Sequence, residues 1–188
     1  MITNLKLFFL VVVMAFLSGC IFYSNPQVNY YDINQIKSAE LDLSPLPATI
    51  GFRQFRNLTP VGNNFIYSSN NGKQIIDNNN LWIQSPEQMI QRQVVGLLEG
   101  GNNNSKVFDI SATLYDFAIN PDAQTCTVAL KFNVKATLDN SKVQECEYRY
   151  HLTQEVVADN AGDYTVAMAK IIAEITAEFH KELKSFLE

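Results

Sequence analysis

Residues 124–138 read QTCTVALKFNVKATL, and residues 143–156 read VQECEYRYHLTQEV. In the first, Cys126, Val128, Leu130, Phe132, Val134, Ala136 and Leu138 fall on alternate positions, with Thr127, Lys131, Asn133 and Lys135 between them. In the second, Cys146, Tyr148, Tyr150 and Leu152 alternate with Glu147, Arg149 and His151. A period of two sends successive side chains to opposite faces of a sheet, so each segment is a strand with one buried and one solvated face. Val107–Ala118 carries the same pattern through Phe108, Ile110, Ala112 and Leu114. Pro121-Asp122 and Asp139-Asn140 supply the turns of an antiparallel meander whose apolar face needs helices to cover it.

Two helices answer that need. Ser85-Pro86-Glu87-Gln88 opens the first: Ser85 can cap, Pro86 suits the first helical position, and Gln88 completes a capping box. Met89, Ile90, Val94, Leu97 and Leu98 form its apolar stripe, and Gly100-Gly101 stop it. The second runs from an N-cap near Asp163 to Phe186, burying Met168, Ile172, Ile175, Phe179, Leu183 and Phe186.

Upstream, Val28–Ile33 and Thr49–Arg56 read as strands. In the latter, Ile50, Phe52 and Gln54 face one way, and Gly51, Arg53 and Phe55 the other. Asn63–Ser68 and Lys73–Ile76 form a hairpin about Asn71-Gly72, because Asn-Gly readily takes positive φ at both positions. The prolines at 45 and 47 make an extended connector, and the Asn runs read as turns. Strands then helix, twice over, is an α+β fold. The expected architecture is a pseudo-duplicated two-layer sandwich, with a largely antiparallel sheet and two helices on one face.

The N-terminus belongs to a different regime. Leu7–Leu17 is eleven consecutive apolar residues behind Lys6, too few to cross a membrane as a helix but right for the core of a secretory signal. It ends in Leu17-Ser18-Gly19-Cys20, which resembles the bacterial lipobox. That resemblance implies cleavage before Cys20, with diacylglycerol on its thiol and an acyl chain on the new amino group. Several chains hold a protein stably at a bilayer. Ile21 rather than Asp after the cysteine implies sorting to the outer membrane, facing the periplasm. The expected organisation is a signal peptide at 1–19, a lipidated tether at 20–27 and a single periplasmic α+β domain at 28–188.

Of the 188 residues, 14 are basic and 19 acidic; removing residues 1–19 takes away Lys6 alone and moves the formal charge from −5 to −6. An acidic chain argues against nucleic acid, which requires a basic phosphate-tracking surface. Cys126 and Cys146 sit seven residues or so out of register in the meander, too far for a disulfide, and read as two apolar thiols. His151 and His180 have no carboxylates at ligand spacing and read as solvent-facing. Asp109 and Asp116 differ in parity and should point to opposite faces, so they make no dyad. No catalytic residue, metal ligand or cofactor is expected. Trp82, the single tryptophan, has two readings: a staple covering the N-terminus of the first helix, or an exposed anchor at a partner interface together with Tyr30, Tyr31 and Tyr67.

Cys20, Tyr30-Tyr31-x-Ile33, the strand Thr49–Arg56, Phe65-x-Tyr67 and Trp82-x3-Pro86 with its helix come in order along the chain. The long alternating strands and a terminal amphipathic helix follow. This order resembles the ABC-type transport auxiliary lipoprotein family, whose members accompany lipid-transport systems carrying MCE proteins. The Asn-rich connectors depart from that pattern. The resemblance implies a non-catalytic accessory, anchored in the outer membrane and docking onto a periplasmic MCE-type protein. A second reading is a lipoprotein that assists lipopolysaccharide or outer-membrane protein assembly; it would want a basic patch for anionic lipid. Self-association into a homo-oligomer is compatible with both.

Overall fold

The computed structural model describes residues 27–33, 41, 43–69, 71–98, 106–138, 142–157 and 160–187. The expected signal peptide, Cys20, most of the tether, the Gly100-Gly101 stop and the Asp139-Asn140 turn lie outside them. Chain order is β1 (Asn29–Tyr31), β2 (Thr49–Asn57), β3 (Asn64–Ser68), β4 (Gln74–Trp82), α1 (Pro86–Leu97), β5 (Val107–Asn120), β6 (Thr125–Leu138), β7 (Lys142–Glu155) and α2 (Ala161–Leu187). This is an α+β fold, with one mostly antiparallel sheet and two helices on one of its faces.

The sheet runs β1-β4-β3-β5-β6-β7, and β2 also pairs with β5. The pairs β3–β4, β5–β6 and β6–β7 are antiparallel, whereas β1–β4, β2–β5 and β3–β5 are parallel. The sheet forks along β5: Val107–Leu114 takes β2, and Ile119 takes Tyr67 of β3. One buried cluster lies beneath both helices. Phe132 stacks on Phe179 of α2 at 4.1 Å between ring centroids, and Trp82 stacks on Phe65 at 3.9 Å. Gln93 of α1 is buried and donates to the Ala169 carbonyl of α2 at 3.2 Å, a polar tie between the helices.

Two bulges alter the expected facing. In β2 the register slips at Arg53, so that Phe55, rather than Gln54, turns to the core, with its ring edge-on to Phe132 at 6.4 Å between centroids. In β5 the slip falls at Tyr115, and Phe117 and Ile119 resume the core face begun by Phe108, Ile110, Ala112 and Leu114. A bulge adds one residue to one strand and inverts the parity downstream. Asp109 and Asp116 therefore share the outer face instead of pointing opposite ways. They pair with Lys135 and Ala129, six positions apart on β6, or about 20 Å at 3.3 Å per residue.

The helix starts also differ. Ser85 Oγ bonds Glu87 Oε1 at 2.5 Å and makes no capping bond to the backbone, and Glu87 Oε2 accepts from Asn57 at 3.0 Å. The carboxylate takes the hydroxyl that the capping box required. Asn160, not Asp163, caps α2: its Oδ1 accepts the Asp163 backbone N–H at 3.1 Å. Asn71-Gly72 turns the β3–β4 hairpin, with Gly72 at φ +77°. Further along β4, Asn78–Asn80 loops away from β3, since Phe65 pairs with Asp77 and the preceding Asn64 with Leu81. Asp77 holds the loop-out by accepting the backbone N–H of Asn79 at 2.8 Å and of Asn80 at 3.2 Å.

Candidate functional site

The face of the sheet opposite the helices has no covering layer among the described residues, and it is the candidate site. Odd-numbered positions of β6 and β7 supply most of it. Across β6–β7 the register runs from Thr125↔Glu155 to Leu138↔Lys142 without a slip, so Lys131 lies opposite Arg149, Asn133 opposite Glu147, and Ala129 opposite His151.

Several charges on this face are paired. Lys131 Nζ lies 3.2 Å from Glu147 and 5.7 Å from the centroid of the Tyr115 ring, which stands on the outer face next to core-facing Leu114. Arg149 reaches the same Glu147 at 2.6 Å. Arg149 first, then Lys131, hold the Glu147 carboxylate below its ordinary range. The Tyr115 hydroxyl and Glu147 hold the Lys131 ammonium above its own. Arg53, at the β2 bulge, pairs with Asp109 at 2.7 Å. Gly51 faces Asp109, and a Cβ there would sit 3.2 Å from Asp109 Oδ1, so glycine leaves room for the carboxylate. Asp116 is half-buried, and that desolvation raises its pKa, outweighing the Phe117 amide and His151.

Three depressions open on this face. One, of about 400 Å³, is lined by Gln54, Arg56, Ser111, Thr113, Tyr115 and Lys131. A second, of about 280 Å³, lies between Tyr115, Ala129, Lys131, Arg149 and His151, and a third, of about 430 Å³, between Ser111, Asn133, Lys135, Glu145 and Glu147. All three are floored by strand residues. No cluster of three or more His, Cys, Asp or Glu that could hold a metal occurs among the described residues. The arrangement is suited to contact with a large polar surface through paired charges and one aromatic.

The expected aromatic interface does not assemble. Trp82 is 1% exposed and meets Phe117 edge-on at 5.3 Å, so it is a core residue and offers nothing to a partner. Tyr31 packs edge-on against Phe65 at 5.2 Å, and Tyr67 is half-buried with its hydroxyl 3.3 Å from Asp77. Burial, and then the Asp77 charge, push the Tyr67 phenol up. Of the four, only Tyr30 is open, at 66% exposure. His180 is buried too, not solvent-facing: its Nε2 lies 2.7 Å from the Ser44 carbonyl and fastens the proline connector to α2. His151 is exposed. Cys126 lies opposite Gln154 and Cys146 opposite Val134, eight positions apart on β6, and both thiols are free. Sequence reasoning missed Tyr115 as a surface aromatic. The β5 alternation already set it opposite Leu114; what gave no sign was the slip after it, which brings Asp116 to the same outer face.

No family model matches the chain, and no curated protein does. Among solved structures, the chain is similar to an uncharacterized protein at 16% identity and a TM-score of 0.58, covering 86% of this chain and 99% of that one. It is also similar to protein XCC0632 from Xanthomonas campestris, of the family DUF330, at 12% identity and a TM-score of 0.52, covering 82% and 90%. At such identities the likeness is one of fold, a two-helix α+β sheet.

Proposed function

We propose that this protein is a non-catalytic lipoprotein, anchored through Cys20 in the outer membrane, that serves as an accessory of an ABC/MCE-type lipid-transport system in the periplasm. The observation that carries the reading is the lipobox Leu17-Ser18-Gly19-Cys20 ahead of a domain whose second sheet face is polar, ion-paired and open. A tether places the domain at a membrane surface; the open face gives it something to dock with. In this reading the transported lipid passes to other components, and the contribution of this chain is contact.

The uncovered face also separates the two readings. A lipopolysaccharide-assembly role calls for unpaired cations to meet phosphates. On this face Lys131 and Arg149 share Glu147 and Arg53 is paired with Asp109, while Arg56 and Lys135 are in no ion pair among the described residues; the paired cations favour a protein partner. The test is co-isolation of the full chain from its membranes, in wild-type form and as Cys20→Ala. The reading expects an MCE-type protein with the wild type, and expects Cys20→Ala to leave the membrane fraction. Recovery with a lipopolysaccharide-assembly barrel instead would favour the alternative, and full retention of Cys20→Ala in membranes would sink the anchor.

A further inference from the structure

The two edges of the sheet are not alike. At one, β1 is only three residues long, and β4 beyond it is broken by the Asn78–Asn80 loop-out. Short strands and irregularities of that kind prevent another chain from adding on. At the other, β7 is a 14-residue strand with no proline, glycine or register slip. No strand pairs with its outer edge among the described residues. Its core-side residues carry no inward charge apart from Lys142 at the end: Gln144, Cys146, Tyr148, Tyr150, Leu152 and Gln154 are only half-buried, because α2 covers them from one side. An edge so long and so regular exposes a row of unpaired backbone groups.

We infer that β7 pairs antiparallel with β7 of a second copy of this chain, about a two-fold axis at Tyr148. The sequence of the strand selects the occupant and the register. With the axis at Tyr148, Glu147 faces Arg149 of the second copy and Glu145 faces His151; symmetry repeats both pairs. Moving the axis one residue sets Glu147 against Glu147, beside Glu145 against Arg149, or sets Arg149 against Arg149, beside Glu147 against His151; moving it two toward the N-terminus sets Glu145 against Glu147. Opposite charges directly across a seam stabilise it, and like charges oppose it. On the core side the same register sets Tyr148 beside its own copy, Cys146 beside Tyr150 and Gln144 beside Leu152, so that half-buried rings cover one another. All four side chains are exposed, and Glu147 and Arg149 would exchange their pairing within the strand for pairing across the seam.

The helices permit the seam. α2 rests on β6 and β7, about one strand spacing from the edge. Two copies would set their α2 helices antiparallel and roughly 10 Å apart, the ordinary distance for packed helices. Glu178 and Glu182, which face Tyr150 and Tyr148, would line that groove together with Lys181, already paired to Glu178 at 2.5 Å. Pairing along the edge leaves the outer face of both sheets open, and it does not depend on the transport reading.

The test uses full-length chains in detergent, with sedimentation mass as the readout and far-UV circular dichroism to establish folding. The wild type should sediment as two copies. Arg149→Glu alone and Glu147→Arg alone each create like-charge pairs across the seam and should weaken self-association at least roughly tenfold. Mixed together, the two variants place Glu opposite Arg at every such position and should recover a two-copy species of mixed composition. A wild type that sediments as single copies, or variants that associate as the wild type does, or a mixture that fails to pair, would overturn the assignment.

Discussion

Replacing Trp82 with alanine tests the core assignment on which the fold rests. The ring is 1% exposed, lies nearly parallel to Phe65 at 3.9 Å and 17°, and meets Phe117 edge-on at 5.3 Å. A buried tryptophan withdraws about 200 Å² from water, or about 5 kcal/mol at 25 cal/mol per Å². Partial collapse of the site returns some of that, and the usual cost of such a truncation is about 3–5 kcal/mol. Against a stability of about 5–15 kcal/mol for a domain, this is a large loss. Urea unfolding followed by far-UV circular dichroism reads it as a lower midpoint with an unchanged slope; the variant has no tryptophan to report by fluorescence. Trp82→Phe should cost less, because it keeps the stack. A loss below about 1 kcal/mol for Trp82→Ala would refute the buried position and return Trp82 to the surface.

Three further outcomes follow from the same geometry. Gly72→Ala, at φ +77°, should destabilise the β3–β4 hairpin by about 1 kcal/mol, measured as a lower melting temperature. Asp116 has a raised pKa through burial, so its ionisation opposes folding. The stability it allows is fully present below the unfolded carboxyl pKa and is lost as pH rises through the folded value. Asp116→Asn should therefore melt higher than the wild type at neutral pH, and the gain should vanish on acidification below about pH 4. Cys126 is buried, with its thiol pushed up to about 12 by desolvation, whereas Cys146 is half-buried on the edge strand. Iodoacetamide should label Cys146 in the native chain and reach Cys126 only after unfolding, as peptide mass mapping would record.

The meander is legible in the sequence because its alternation is local and long. Cys126 to Ala136 never breaks period, and a one-residue slip would expose every apolar side chain on that face. The closing helix is legible for the same reason, through spacings of three and four. The bulges are not: Arg53 and Tyr115 carry no glycine or other mark, and the slip is imposed by pairing with a distant strand. The parallel pairing of β2 with β5 joins segments more than fifty residues apart, which no local pattern encodes. The outward readings of Trp82 and His180 fail on one ground. Whether an amphipathic side chain meets water depends on what folds over it, here Phe117 against Trp82 and the Ser44 carbonyl beside His180. The open face is legible as polar, but not as a network, since the sharing of Glu147 by Lys131 and Arg149 depends on the cross-strand register.

The central claim is that a membrane-tethered chain docks a periplasmic transport protein through its uncovered sheet face. It is tested most directly by placing a photo-crosslinking amino acid at Tyr115, which is 49% exposed at the centre of that face, in the full chain in its own membranes. The account predicts an adduct with an MCE-type protein, and none from the same probe at Val166, an exposed position on α2. Adducts from Val166 alone, or no MCE-type adduct from Tyr115, would contradict it.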